Sequence, residues 1–243
     1  MKTIEIEYRT FWLQSRVQSN VPEKWEEVTP RQLIAIAKNY LGETTDDKML
    51  SVMCGVRKWI IKQLDTYQKF SLATELNFIT DYKPFSHFII KKAGILRAPK
   101  PRLQGMSFGQ FMFADSYYST WLISQKDEDL NKFVAALYLP EGEIFKSENM
   151  PALTLIAERI PLMVKCAISI NYRLIKEFLS HAYPMVFQKP KDGARSKPDD
   201  GWVKVFESVV GDDIVNQDKY SELPVHVVLR WITKKIKENA KTR

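Results

Sequence analysis

The sequence predicts a mainly α protein: a multi-helix globular domain with a short N-terminal β-ribbon and a C-terminal helical pair. Three observations carry this prediction. Hydrophobic residues make up 45% of the 243 positions, with only 9 Gly and 12 Pro, which rules out a disordered tail, a collagen-like fibre and a low-complexity array. Helix-start signatures, a capping hydroxyl three residues ahead of Gln, stand at Thr29 and Ser107, each followed by apolar residues at helical spacing. Alternation of apolar and polar residues, the strand period, opens the chain at residues 4–8. A chain this long buries enough apolar surface to fold without disulfides or zinc.

The elements follow in order. After the alternating Ile4-Glu5-Ile6-Glu7-Tyr8 come Phe11, Trp12 and Leu13, then a polar stretch to Pro22, so residues 1–28 read as a short β-ribbon or extended segment. Thr29-Pro30-Arg31-Gln32 combines a capping hydroxyl, Pro at the first helical position and Gln at the capping-box position. The helix it starts shows Leu33, Ile34, Ala37 and Leu41 on one face and ends at Gly42. A second helix starts near Thr45 and carries Leu50, Met53, Cys54, Val56 and Arg57 toward Trp59. A third spans about 66–82, with Phe70, Ala73, Leu76, Phe78 and Ile79 inward. His87-Phe88-Ile89-Ile90 fits a short helix or a strand. Ala98-Pro99-Lys100-Pro101-Arg102 cannot lie inside a helix, because each Pro lacks a donor and forces its predecessor toward extended geometry; it reads as an exposed, extended, cationic loop.

Ser107 and Gln110 restart regular helix, with Phe111, Ala114, Tyr118 and Leu122 at helical spacing. Asp127-Glu128-Asp129 opens the next helix, where acids complement the dipole; its face is Leu130, Phe133, Val134 and Leu137, and Pro140 stops it. A loop through Glu141-Gly142 leads to two helices separated at Pro161. The second, about 162–183, shows Ile168, Tyr172, Ile175 and Leu179 on one side and is the candidate central core helix. Residues 188–198 then hold two Pro, a Gly and no large apolar side chain, a linker or mobile loop. Beyond it, residues 201–210 form an amphipathic helix with Trp202, Val205, Phe206 and Val209, and a last helix runs from Val225 toward Lys241 after a polar turn. The organisation expected is therefore a helical main domain over 1–187, a linker over 188–200 and a basic helical segment over 201–243. That last segment is too short to bury its own apolar faces, so it packs on the main body or on another chain.

The formal net charge of +7 is unevenly placed. Residues 82–114 hold six basic residues (Lys83, Lys91, Lys92, Arg97, Lys100 and Arg102) and no acid. Residues 230–243 hold another six (Arg230, Lys234, Lys235, Lys237, Lys241 and Arg243) against one acid, Glu238. Such segments hold a polyanion through counterion release or dock an acidic protein surface, and charge alone does not choose. The candidate binding residues are Lys91, Lys92, Arg97, Lys100 and Arg102 in the first stretch and Arg230, Lys234, Lys235 and Lys237 in the second. Large aromatics beside these cations fit either a protein interface or single-stranded nucleic acid. Trp202, Phe206 and Trp231 are the candidate protein-interface side chains.

The first seven residues place acids where a secretory signal needs an apolar core. The longest apolar stretch, residues 160–175, is broken by Lys165 and Arg173, short of the about 20 apolar residues a membrane span requires. A protein kept inside a cell, without a membrane partner, is the expectation. Cys54 and Cys166 belong to no CxxC pair and read as reduced, packed thiols.

Chemistry-bearing motifs are sparse. His87, His181 and His226 sit on different elements with no HExxH or His–Cys spacing, so no metal or other cofactor is expected. The acid pairs Asp46-Asp47, Asp199-Asp200 and Asp212-Asp213 lack the strand context of polymerase or nuclease motifs and read as caps and turns. No GxxxxGK[ST], GxGxxG or GxSxG occurs.

Several stretches nevertheless form a pattern. Trp25-Glu26-Glu27-Val28-Thr29-Pro30-Arg31-Gln32-Leu33, Phe108-Gly109-Gln110-Phe111 with Tyr117-Tyr118, and Leu130 through Ala136-Leu137-Tyr138-Leu139-Pro140 run in order. In these the chain resembles a group of proteins of Bacteroidetes phages and prophages that are encoded among tail and virion-assembly genes. It departs from their pattern at Gln110, where Glu is usual, and at Leu139, where Arg is usual. The resemblance implies a part in building a phage particle and brings no catalytic residues. The function expected is a non-enzymatic, protein-binding role in phage or prophage tail or virion assembly, as a tail-assembly chaperone or minor virion component. Its partners would be tail or other virion proteins, with self-association a further option, and its place the host cytoplasm or the virion. The alternative is a nucleic-acid-binding protein that meets DNA through residues 83–102 and 230–243.

Overall fold

A computed structural model describes residues 1–10, 12–187, 201–211, 213 and 217–241. The expected linker over 188–200, the acids Asp199, Asp200 and Asp212, and Arg243 lie outside the described residues. The chain divides into two compact units, Met1–Phe85 and Ser86–Arg243. The fold is mainly α, with an N-terminal β-ribbon as expected and one further small sheet.

In the first unit, β1 (Lys2–Thr10) and β2 (Leu13–Val21) pair antiparallel from Lys2 opposite Val21 to Thr10 opposite Leu13. One face carries the buried Ile6 and Val21, while Trp12 at the turn is 98% exposed. Buried Ser19 donates its hydroxyl to the carbonyl of Cys54. α1 (Pro30–Tyr40) begins with the expected box: Gln32 N–H donates to Thr29 Oγ1 at 3.3 Å and Thr29 N–H donates to Gln32 Oε1 at 2.9 Å. Caps of this kind contribute about 1 kcal/mol. Its buried stripe runs through Leu33, Ile36 and Ala37, and Leu41 is exposed, which corrects the expected face by one position. Gly42 ends the helix at φ +70°.

The single helix expected from Thr45 toward Trp59 is two, α2 (Asp46–Met53) and α3 (Lys58–Gln63). Gly55, at φ +65°, takes the left-handed conformation that ends α2 and turns the chain. α4 (Thr66–Glu75) carries a capping box from Asp65 and Gln68 and stops short of the expected Tyr82. Phe70, expected inward, is exposed, as is Ala73. The core contacts come from the turns that flank the helix, where Leu64, Leu76 and Ile79 are buried.

The second unit begins with an irregular segment that is neither helix nor strand, although Phe88, Ile89 and Ile90 are buried. Side chains replace a ladder there. Ile89 N–H donates to Asn171 Oδ1 (2.6 Å), Asn171 Nδ2 donates to His87 O (2.9 Å), and Tyr138 Oη donates to Ile90 O (2.6 Å). Buried backbone polar groups need such partners, and these three let the segment lie in the core without regular structure. β3 (Lys92–Ala93) and β4 (Leu96–Arg97) form a hairpin turned at Gly94, and β5 (Leu139–Pro140) adds antiparallel to β4. The stretch expected as wholly extended closes in a short turn at Pro101–Leu103.

The helices that follow are α5 (Phe108–Ser124), α6 (Asp127–Leu137), α7 (Met150–Glu158), α8 (Leu162–Ala182), α9 (Gly201–Val210), α10 (Gln217–Glu222) and α11 (Val225–Lys241). Ser107 Oγ accepts from Gln110 N–H at 3.1 Å. The Gln110 side chain instead donates to the carbonyls of Ala136 and Leu137, satisfying orphan acceptors at the end of α6. Ile168, Tyr172, Ile175 and Leu179 of α8 are all fully buried, as the apolar stripe predicts. The two expected C-terminal helices form, with α10 standing where a polar turn was expected. All three pack on α5. A Cβ at Gly109 would stand 3.2 Å from Ser221, so this glycine permits the close approach of α10. Phe108 N–H donates to Leu223 O and Val225 N–H to Met106 O, pinning the start of α11 beside the start of α5. Among the described residues no helix is long and apolar enough to cross a membrane.

Candidate partner interface

All nine candidate cations fall in the second unit, on the β3–β4 hairpin, the loop after it and α11. Lys91, Lys92, Lys100 and Arg102 are exposed. Arg97 is engaged: its Nε and Nη2 both donate to Glu141 Oε2, at 3.2 and 3.1 Å. On α11, Val225, Val228, Leu229 and Ile232 are buried, while Arg230, Lys234 and Lys237 recur at helical spacing on the exposed side. Lys234 and Lys235 both approach Glu238, at 3.8 and 3.5 Å, and Lys235 Nζ lies 5.7 Å from the ring centre of Trp231.

The structure ties the two basic stretches together. His226 Nε2–H donates to the backbone carbonyl of Arg102, and its Nδ1 pairs with Tyr183 Oη at 2.8 Å. With Nε2 as the donor of a neutral ring, Nδ1 accepts the tyrosine proton. Arg102 and Leu103 both adopt positive φ, 58° and 57°, which costs about 1–2 kcal/mol for a residue with a Cβ. The turn is held by Arg102 N–H on Ser86 O (2.7 Å), by the fully buried Leu103 and by His226. The loop bearing Lys100 and Arg102 thus stands beside the first turn of α11.

A groove of about 370 Å³ opens beside the hairpin, between its turn and the junction of α7 with α8. Its walls are Ile95, Ile156, Ile160 and Val164, and Lys92 and Arg159 supply its charge. Ile95 is 59% exposed at the hairpin tip. Neither Lys92 nor Arg159 makes an ion pair with another described residue. The sequence reading found Lys92 but not the α7–α8 wall, which the chain reaches some sixty residues later and which carries no motif.

The aromatic candidates behave differently from one another. Trp202 is half-buried against Phe108, Phe111 and Phe187, and its Nε1 donates to Asp115 Oδ2 at 2.7 Å. Phe206 lies against Phe108. These two half-buried rings make contacts within the chain, against the Phe108 and Phe111 rings of α5. Trp231 remains 37% exposed. Asp115, 4% exposed, also accepts from Tyr172 Oη (3.1 Å) and Lys176 Nζ (2.8 Å). Burial, with the Asp115 carboxylate beside it, pushes the Tyr172 hydroxyl well above its ordinary range. The sequence offers no signal for this four-membered cluster, since Asp115 sits inside a helix like any surface acid.

Cys54 and Cys166 are buried, and burial pushes the Cys54 thiol up to about 11. Among the described residues no group of three or more His, Cys, Asp or Glu converges as metal ligands would. No protein-family model, curated protein or solved structure matches the chain.

Proposed function

We propose that this chain is a non-enzymatic, protein-binding component of phage or prophage tail or virion assembly, acting as a tail-assembly chaperone or a minor virion component in the host cytoplasm. The resemblance of residues 25–33, 108–118 and 130–140 supports the setting. The observation that carries a protein-binding role is the groove beside Ile95: apolar walls with two cations, Lys92 and Arg159, that make no ion pair with another described residue, open to solvent. Exposed apolar surface edged by charge is where protein partners dock. A partner segment with an apolar anchor and a nearby carboxylate fits it.

The test is co-purification of the co-encoded tail and virion proteins with the full chain, beside Ile95→Asp and Arg159→Glu. Capture by the parent chain and loss in both variants is expected. Capture that survives both substitutions, or no capture at all, overturns the reading. Mass spectrometry of purified particles then separates the two roles, since a chaperone is missing from them and a minor component is present.

A second reading, binding of DNA, rests on the stripe of Arg230, Lys234 and Lys237 along α11. It requires affinity that falls steeply with salt and that drops when these three, or Lys91, Lys92, Lys100 and Arg102, are neutralised.

A further inference from the structure

The first unit carries a second basic surface that lies outside both cationic stretches of the sequence. Two hollows, of about 430 and 210 Å³, adjoin along α1 and α2 and share Arg31 and Val52 as a common wall. Arg57 and Lys58 stand with Arg31 at the first, and Lys38 and Lys48 at the second. Neither lining includes an acid or an aromatic ring. Among the described residues none of the five cations makes an ion pair. The acids at the start of α2 are engaged elsewhere: Asp46 accepts from Asn39 Nδ2 at 3.0 Å and Asp47 pairs with Lys69 at 2.8 Å.

The second hollow adds two details. Its floor is apolar, with Ile34, Ala35 and Met49. Thr44 lines it too, and the Thr44 hydroxyl oxygen is buried with no hydrogen-bond partner among the described residues. A desolvated hydroxyl without a partner is unfavourable, and a bound carboxylate or carbonyl would satisfy it. Arg31 and Lys38 stand seven residues apart on one face of α1, a separation of about 10.5 Å.

We propose that the α1–α2 surface docks an acidic, amphipathic segment of a partner polypeptide. Its carboxylates, about two helical turns apart, would pair with Arg31 and Lys38, and an apolar side chain between them would rest on Ile34, Ala35 and Val52. Charge complementarity fixes the sign of the occupant. The apolar floor and the lack of a ring for base stacking favour a polypeptide over nucleic acid. This surface shares no residue with the groove beside Ile95, and its test does not depend on that groove.

Fluorescence polarisation with the full chain provides the test. The probe is a labelled helical peptide with Glu at positions i and i+7 and Leu between, set against a peptide with Lys at both positions, a single-stranded oligonucleotide and inorganic tripolyphosphate. Only the acidic peptide binds if the assignment holds. Arg31→Gln with Lys38→Gln weakens it by about tenfold or more, whereas Lys126→Gln with Lys146→Gln, two exposed cations outside either surface, leaves it unchanged. Thr44→Val weakens it by severalfold while its thermal midpoint does not fall, which separates a lost ligand contact from misfolding. Absence of acidic-peptide binding, equal loss in the Lys126/Lys146 variant, or tighter binding of the oligonucleotide or tripolyphosphate overturns the proposal.

Discussion

Trp202 Nε1 donates to Asp115 Oδ2 at 2.7 Å, across 87 positions of sequence, and so fastens α9 onto α5. The same carboxylate takes Tyr172 and Lys176, so one buried acid joins α5, α8 and α9. Trp202→Phe keeps ring packing and removes one charge-assisted bond, for an expected loss of about 1.5–3 kcal/mol. Asp115→Ala leaves the buried Tyr172 hydroxyl and the partly exposed Lys176 ammonium without their acceptor and destabilises by about 2–4 kcal/mol. Denaturant unfolding gives both values. Hydrogen exchange over residues 201–210 should quicken selectively in Trp202→Phe, and uniform protection there would contradict the fastening role.

Arg102 offers a substitution with the opposite sign. Its positive φ is strained for any side chain with a Cβ, and glycine relieves that strain. Arg102→Gly should raise stability by about 1 kcal/mol, and Arg102→Gln, which keeps the Cβ, should leave it nearly unchanged. Thermal melts of the pair separate backbone strain from charge.

Lys165 is 4% exposed, and its ammonium donates to the Asn131 amide oxygen rather than to a carboxylate. Removing the partner of a buried charge is more damaging than removing the charge itself. Asn131→Ala is therefore expected to destabilise by about 3 kcal/mol. Lys165→Met, of similar length, should be neutral or stabilising. An equal loss in the two variants would place the Lys165 ammonium in water.

Cys54 makes stability depend on alkaline pH. Burial raises its thiol from an ordinary value of 9.0 to about 11, so between those values the folded chain keeps a proton that the unfolded chain has released. Stability from this group is complete below pH 9 and declines as pH rises toward 11, by at most about 1.4 kcal/mol per unit. The difference between the parent chain and Cys54→Ala isolates this slope from the lysines and tyrosines that titrate nearby. Alkylation of Cys54 at pH 8 should be slow until the chain unfolds.

Local chemistry was legible where it is decided locally. The Thr29 and Ser107 caps, the stop at Pro140 and the apolar stripe of α8 depend on residues within a few turns of one another. The break at Gly55 was not legible, because a lone glycine inside an apolar pattern is tolerated in many helices and its positive φ is set by the packing on either side. Phe70 was misread for a related reason: helical spacing places it on a face, and whether anything covers that face is a property of the rest of the unit. Of the interface residues, the cations were visible as a charge run. Their division into exposed Lys92, engaged Arg97 and a stripe on α11 was not.

The sequence by itself determined the helical class, the ribbon, the caps and the two cationic stretches, since propensity, period and charge act over neighbouring residues. Tertiary structure alone decided that Trp202 faces inward, that His226 holds the strained turn at Arg102, and that Ile95 shares a groove with Ile160. It also brought Arg57 beside Arg31 of α1, and Lys48 of α2 beside Lys38. Burial and long-range pairing arise from which faces meet, and that meeting is a property of the whole packed unit rather than of any stretch within it.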